Sequence, residues 1–332
     1  MDSHLALFSG TRTHDMRLPN QLAERLMTER DGPARWIEEA IAPFRSHIAP
    51  TGEGVQVSGE AVAVALTTAI LENLSEVLAG NAHADNAALQ DAIAAAVDTS
   101  LKHELAFRLT GLMLPIRPMS LNQVAFMQSL LTREKTLVLG LGPTGTGKTH
   151  LGIAAAINQL VLENVKYIVA TRPHVIMEGE VLTSEKRQEL DYDEQLNALA
   201  DVFRDLLGFH EFNRLVEEQT IEILPLGRMH GRTFNEAFII IDDAQNMSPR
   251  KMRMAVTRIG QGSRMLITGD AKKSELRDNQ PSGLADLLDL LRGSDLADIH
   301  TFTRHQIIRN RIVAELEELY ESRQGTVSEY AA

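Results

Sequence analysis

The chain has 332 residues, with 33 Lys or Arg against 45 Asp or Glu, a formal net charge of -12, 44% hydrophobic residues and no cysteine. That composition excludes a disordered or collagen-like chain, and the missing thiols exclude disulfides, thiolate zinc sites, iron-sulfur clusters and cysteine nucleophiles. The acidic balance excludes a uniformly positive surface, so any nucleic-acid contact has to be local, because phosphate affinity comes from Lys and Arg. The first 20 residues lack the short apolar stretch after a basic start that marks a signal peptide, and by this reading no apolar run approaches the roughly 18 to 20 residues of a membrane span. A cytoplasmic protein without membrane association is the expectation.

In chain order, the pattern up to residue 115 is mostly helical, with an amphipathic stretch at 18–29 and apolar, Ala- and Leu-rich helices at 60–79 and 87–97. Two prolines, Pro115 and Pro118, suggest a boundary there: a mainly helical domain over 1–115 and a second domain over 116–332. Beyond it, short β-branched runs alternate with longer amphipathic ones, as in an α/β domain with a mostly parallel sheet. Strands are predicted at 136–141, 167–171, 220–224, 237–242, 264–269 and 298–302, and helices at 148–163, 193–207, 249–260, 283–291 and 306–320. No internal repeat interrupts this order.

Between the first of these strands and its helix stands Gly142-Pro143-Thr144-Gly145-Thr146-Gly147-Lys148-Thr149, the full G-x-x-x-x-G-K-[ST] spacing of a P-loop. Glycines let backbone N–H groups turn inward to phosphate oxygens at a helix N-terminus, which bulky side chains would block. Lys148 supplies a point charge to the β- and γ-phosphates and Thr149 a hydroxyl ligand for Mg²⁺. The run Phe238-Ile239-Ile240-Ile241 ends in Asp242 and Asp243; two adjacent acids there suit a cation, with Asp242 as the metal carboxylate and Asp243 orienting or deprotonating a water. The same acids would also suit a helix cap, and the P-loop upstream favours the metal and water roles.

Three weaker signals accompany these. Thr268-Gly269-Asp270 and Arg304-His305 each follow a strand, where they serve either as phosphate sensors or as surface turns. Asn122-Gln123 precedes the first strand, where a side-chain amide can read an adenine edge. Arg250 to Lys273 holds Arg250, Lys251, Arg253, Arg258, Arg264, Lys272 and Lys273 against the single acid Asp270. That stretch is a solvated face, an RNA contact or a subunit contact.

Together, the P-loop, Thr171-Arg172-Pro173, the segment from Met229 to Phe238, the box Asp242-Asp243-Ala244-Gln245-Asn246, Thr268-Gly269-Asp270, Ser282-Gly283-Leu284 and Arg304-His305 resemble the PhoH-like family of bacterial P-loop ATPases over about residues 116 to 320. The resemblance implies a RecA-like core related to superfamily 1 helicases, Mg²⁺-dependent ATP hydrolysis, a ring-shaped homo-oligomer (a hexamer by the same likeness) and a role in RNA metabolism. It also implies that Gln123 contacts adenine, Lys148 and Thr149 the phosphates and metal, Asp242 the metal, and Arg304 the γ-phosphate, with Gln245 beside Asp243 in the catalytic box. Three departures stand out: Asp243 replaces the family's usual glutamate, Lys273 a glutamine, and a charged segment at 184–189 an apolar turn. Residues 52–59 with the helix after them resemble half of an RNA-binding KH domain, yet no Lys or Arg occurs between Ser46 and Ser100, so an oligomerisation or partner-docking domain is preferred.

The expected function is therefore a Mg²⁺-dependent ATPase coupled to RNA binding, remodelling or processing. The alternatives are a slow-turnover, nucleotide-switched docking module for a partner such as an RNA-processing endoribonuclease, and a small-molecule P-loop kinase.

Overall fold

Apolar runs too short to be helices become the strands of a parallel sheet, and the longer amphipathic stretches between them become its covering helices. The computed structural model describes residues 11–28, 32–42, 44, 46–51, 54–81, 84–103, 109–132, 135–173, 184–271, 273 and 281–307. The chain forms two compact units, Met1–Arg108 with Pro115–Gln128, and Leu109–Leu114 with Ser129–Ala332.

In the first unit, strands β1 (Thr11–Arg17), β2 (Ser46–Thr51) and β3 (Gly54–Glu60) form an antiparallel sheet in the order β1-β3-β2. Helices α1 (Asn20–Thr28), α2 (Pro33–Ala40), α3 (Ala61–Gly80) and α4 (Asn86–His103) make up most of the rest, as expected of a mainly helical region. The sheet itself is an addition to that expectation. All but one of the β1 residues are exposed, so β1 lacks the apolar alternation that announces a half-buried strand. Helix α3 corrects the reading that no run is long and apolar enough for a membrane: its 20 residues reach a mean hydropathy of 1.5. Its apolar positions, among them Val62, Leu66, Ile70, Leu71 and Leu74, are buried, and it packs on α4, β1 and β3 as a core helix does.

Helix α5 (Leu121–Leu131) leads into the second unit, whose sheet holds β4 (Leu137–Leu141), β5 (Tyr167–Thr171), β6 (Ile221–Ile223), β7 (Ala237–Ile241), β8 (Arg264–Gly269) and β9 (Ala297–Thr301). Their order is β6-β5-β7-β8-β4-β9 and every pairing is parallel. The fold is thus α/β and RecA-like, with β8 inserted between the strand that leads into the P-loop and the strand that ends in the acids. The central strands β4, β7 and β8 are buried at every position, the pattern of a sheet covered on both faces.

Alternation along the strands assigns the two covers. Leu137, Leu139, Leu141, Ile239, Ile241, Met265 and Ile267 share one core cluster with Met252 and Ala255 of α9 (Pro249–Val256) and Leu284, Leu287 and Leu291 of α10 (Gly283–Leu291). On the opposite face α6 (Lys148–Val161) lies so close that a Cβ on Gly152 would come within 2.2 Å of Leu266 Cδ2. Helices α7 (Ser184–Leu207) and α8 (Phe209–Glu217) continue towards β5 and β6, separated by Gly208 at φ 79°. Each buried Leu or Ile contributes roughly 1.5–3 kcal/mol. The helix expected at 306–320 lies outside the described residues from 308 onward.

The entry to β4 is held by side chains from two other elements. Gln159 of α6 donates to Leu131 O at 2.9 Å, and Arg264, the first residue of β8, donates to Leu130 O at 2.8 Å, Ser129 O at 2.8 Å and Lys135 O at 2.9 Å. These carbonyls include the open C-terminal groups of α5, which need partners. Arg264 is buried, so Arg264→Leu should strand those carbonyls and cost about 2 to 4 kcal/mol, read as a lower urea midpoint with an unchanged denaturant slope.

Candidate nucleotide-binding site

Because all six strands are parallel, their C-terminal ends share one edge of the sheet, where ligands of open α/β folds bind. Register places Leu141 beside Gly269 and Thr301, and Thr171 beside Ile241. The segments that follow each strand, the P-loop, Arg172, Asp242-Asp243, Asp270 and Arg304, therefore leave from the same edge.

The P-loop follows β4 without a break in hydrogen bonding: Gly142 N–H donates to Gly269 O at 3.0 Å and Phe302 N–H to Leu141 O at 2.7 Å. Gly142 has φ 129° and a Cβ there would lie 2.3 Å from Phe302 O, while Gly147, the N-cap of α6, has φ 85°. Both positions demand glycine. Thr144 is exposed at the loop tip, Pro143 and Gly145 are half-buried, and buried Thr146 donates from Oγ1 to Pro143 O at 3.0 Å.

Lys148 is buried, and its Nζ donates to Gly142 O at 2.8 Å, Pro143 O at 2.7 Å and Thr146 Oγ1 at 3.1 Å. Burial lowers its pKa from 10.5 to about 8, although Asp242 and Asp270 pull in the opposite direction. The ammonium thus lies inside the loop with neutral oxygens as its direct partners.

Asp242 sits at the end of β7, buried, with its N–H donating to Thr171 O at 2.9 Å. Thr149 of α6 donates to Asp242 Oδ1 at 2.7 Å, and Thr268 of β8 donates to the same oxygen. Arg172, just past β5, places Nε 3.7 Å from Asp242 Oδ2 and pairs through Nη2 with Asp243 Oδ2. One carboxylate therefore gathers the P-loop helix, two strands and a guanidinium.

Asp243 adopts a left-handed conformation at φ 51°, uncommon for a non-glycine residue but tolerated by aspartate, and opens a 3₁₀ turn over Ala244–Asn246. Gln245 Nε2 lies 3.3 Å from Asp243 Oδ1, and Gln245 Oε1 accepts from Asp270 N–H at 3.0 Å. A glutamine between the acid box and the end of β8 ties the two candidate γ-phosphate segments together.

Two further predicted residues make contacts of their own. Arg304 is exposed, in the 3₁₀ turn Arg304–Gln306 after β9, a turn fixed by Thr303 N–H donating to Gln306 Oε1 at 2.9 Å. Gln123 belongs to the first unit, buried on α5, with Oε1 accepting from Met119 N–H at 2.7 Å. Arg172 carries no individual role in the sequence analysis, and Thr268 stands there only as part of a candidate phosphate-sensing segment; the contact each makes with Asp242 is an addition. The available signal was position, with Arg172 just past β5 and Thr268 near the end of β8 on the edge that carries the P-loop.

The donor set fits magnesium. Mg²⁺ takes one or two protein oxygens and fills its octahedron with waters and phosphate oxygens, and Thr149 Oγ1 with Asp242 Oδ1 is such a pair. Among the described residues no group of three His, Asp or Glu side chains forms a cage for a metal held by protein alone.

Comparison with known proteins identifies a family. The family model described as PhoH-like protein matches residues 115–321. A PhoH-like protein of Mycobacterium tuberculosis is 30% identical over 313 residues, 91% of this chain and 86% of its own length. One from Bacillus subtilis is 36% identical over 209 residues, 62% of this chain and 64% of its own. Protein PhoH of Escherichia coli is 27% identical over 200 residues, 60% and 56% of the two chains. Among solved structures, the UvsW helicase of bacteriophage T4 aligns over 63% of this chain and 67% of its own at 12% identity and a TM-score of 0.34.

The depressed Lys148 pKa has a measurable consequence. Its folded-state value lies below the ordinary one, so the free protein loses the ammonium as pH rises through about 8, and phosphate binding needs the charged form. At fixed Mg²⁺, nucleoside triphosphate affinity should fall about tenfold between pH 7 and pH 9, whereas Lys148→Arg, weaker at neutral pH, should show no fall over that range.

Proposed function

The chain belongs to the PhoH-like family, and from that membership and the P-loop site we propose that it is a Mg²⁺-dependent ATPase whose turnover is coupled to RNA binding or remodelling in the cytoplasm, acting as a homo-oligomer. The observation that carries the hydrolytic reading is the junction of Thr149, Asp242 and Thr268, which joins the P-loop helix to the acid-bearing strand through a single carboxylate oxygen.

In this mechanism the loop N–H groups and Lys148 bind the β- and γ-phosphates, with Lys148 exchanging loop carbonyls for phosphate oxygens. Thr149 and Asp242 would hold Mg²⁺, which would supply positive charge to the phosphates as a Lewis acid. Asp243, held by Arg172 and Gln245, orients a water against the γ-phosphorus. The water oxygen bonds to phosphorus as the bond to the β,γ-bridging oxygen breaks. ADP leaves with that electron pair, and the water's proton passes to a carboxylate oxygen of Asp243 or to the departing phosphate. Arg304 offers its guanidinium to the charge that spreads over the transferring group.

A second reading, a slow nucleotide-switched module that docks an RNA-processing partner, draws support from Asp243, both of whose carboxylate oxygens have side-chain partners. Phosphate release with and without single-stranded RNA separates the two readings. RNA-stimulated release, lost in Lys148→Ala while the fold persists by circular dichroism, supports the ATPase. Normal turnover in Lys148→Ala overturns the mechanism, and tight ATP binding with RNA-indifferent, negligible turnover favours the docking module. Asp243→Glu, one methylene longer, should raise turnover several-fold without changing the ATP requirement.

A further inference from the structure

Helix α9 starts three residues after the acid box and carries Arg250, Lys251 and Arg253, all exposed. None of the three side chains has a hydrogen-bond or ion-pair partner among the described residues. The buried positions Met252 and Ala255 face the core, so the three cations spread over the solvent side. Other exposed arginines of the second unit sit beside acids, Arg214 with Glu211 and Glu218 and Arg292 with Asp289. Arg250 and Lys251 stand in the first turn of the helix, where uncompensated cations are electrostatically unfavourable because the N-terminal end of the helix dipole is itself positive, and Arg253 adds a third positive charge one turn on. In a chain of net charge -12, this face concentrates positive potential where isolated stability argues against it.

The patch continues down the helix. Arg258, two residues beyond its end, donates to Met254 O at 3.0 Å and Arg232 O at 3.2 Å, bonds to neutral carbonyls that leave its charge uncancelled. The top of the patch is mechanically tied to the nucleotide site. Gly283 N–H donates to Met247 O at 2.7 Å, and a Cβ at 283 would lie 2.6 Å from Ser248 O, so the chain entering α9 is clamped against α10. Gln245, two residues before Met247, bridges Asp243 and Asp270.

We propose that the exposed face of α9 formed by Arg250, Lys251 and Arg253 binds the phosphate backbone of single-stranded RNA, an inference that rests on the RNA coupling proposed above. The contact is sequence-independent, since flexible cations without a planar aromatic partner read charge and not base identity. Its place beside the acid box lets a rearrangement around the γ-phosphate reach the strand through Gln245 and Met247.

The test uses the full chain and a fluorescently labelled 20-nucleotide poly(U) RNA, with anisotropy followed from 50 to 200 mM salt. The comparison is between wild type and R250Q/K251Q/R253Q, with Arg292→Gln as a cation control. The triple variant should bind at least tenfold more weakly, and its slope of log affinity against log salt should drop by about 2, at roughly 0.7 for each lost phosphate contact. Its ATP hydrolysis without RNA should stay at the wild-type rate, which also verifies its fold, while Arg292→Gln binds as wild type. Wild-type binding with an unchanged triple variant overturns this surface and leaves the RNA reading standing. A wild type that binds no RNA overturns both. A triple variant that keeps its RNA affinity but changes mass by light scattering makes the face a subunit contact and likewise overturns the proposal.

Discussion

A single carboxylate oxygen organises this site. Asp242 Oδ1 accepts from Thr149 and from Thr268, while Oδ2 faces Arg172, so a residue at the end of β7 is coupled to α6, β8 and the chain beyond β5. In a nearly dry setting an ionised carboxylate needs several donors or a cation, and here hydroxyls and a guanidinium supply them. The sheet order makes the convergence possible. With β8 between β4 and β7, the P-loop helix crosses above the inserted strand and sets Thr149 over the acid.

The loop shows the complementary constraint on charge. Lys148 is buried among loop oxygens, and desolvation depresses its pKa more than Asp242 and Asp270 raise it. A cation held this way is stabilised further by any ligand bringing negative charge into the loop, so the site is biased towards phosphates before one arrives. Asp243 is held in its left-handed conformation by Arg172 on one oxygen and Gln245 on the other. The carboxylate beside the metal candidate thereby has a fixed orientation.

Much of this was legible in the sequence because parallel strands covered on both faces read as unbroken apolar runs. All six strands of the second unit lie within a residue or two of their expected ranges, and the P-loop stands between its expected strand and helix. What escaped has physical reasons. β1 presents polar, exposed side chains and owes its strand form to pairing with β3, which no local pattern reveals. α3 is apolar enough for a membrane only when its length is counted without its core-facing role. Arg172 and Thr268 acquire their meaning from strand order, since residues 70 or 26 positions from Asp242 meet it only after the sheet has formed.

The most direct test of Asp242 as the organising group is calorimetric titration of ATP into wild type and Asp242→Asn, with and without Mg²⁺. Asparagine keeps the size of the side chain and its carbonyl acceptor but removes the charge a divalent ion requires. Wild-type affinity should rise by at least tenfold when Mg²⁺ is added, and in Asp242→Asn that increment should vanish while metal-free binding persists. An equal Mg²⁺ increment in both proteins would show that the metal is held elsewhere, and would contradict the role assigned to Asp242.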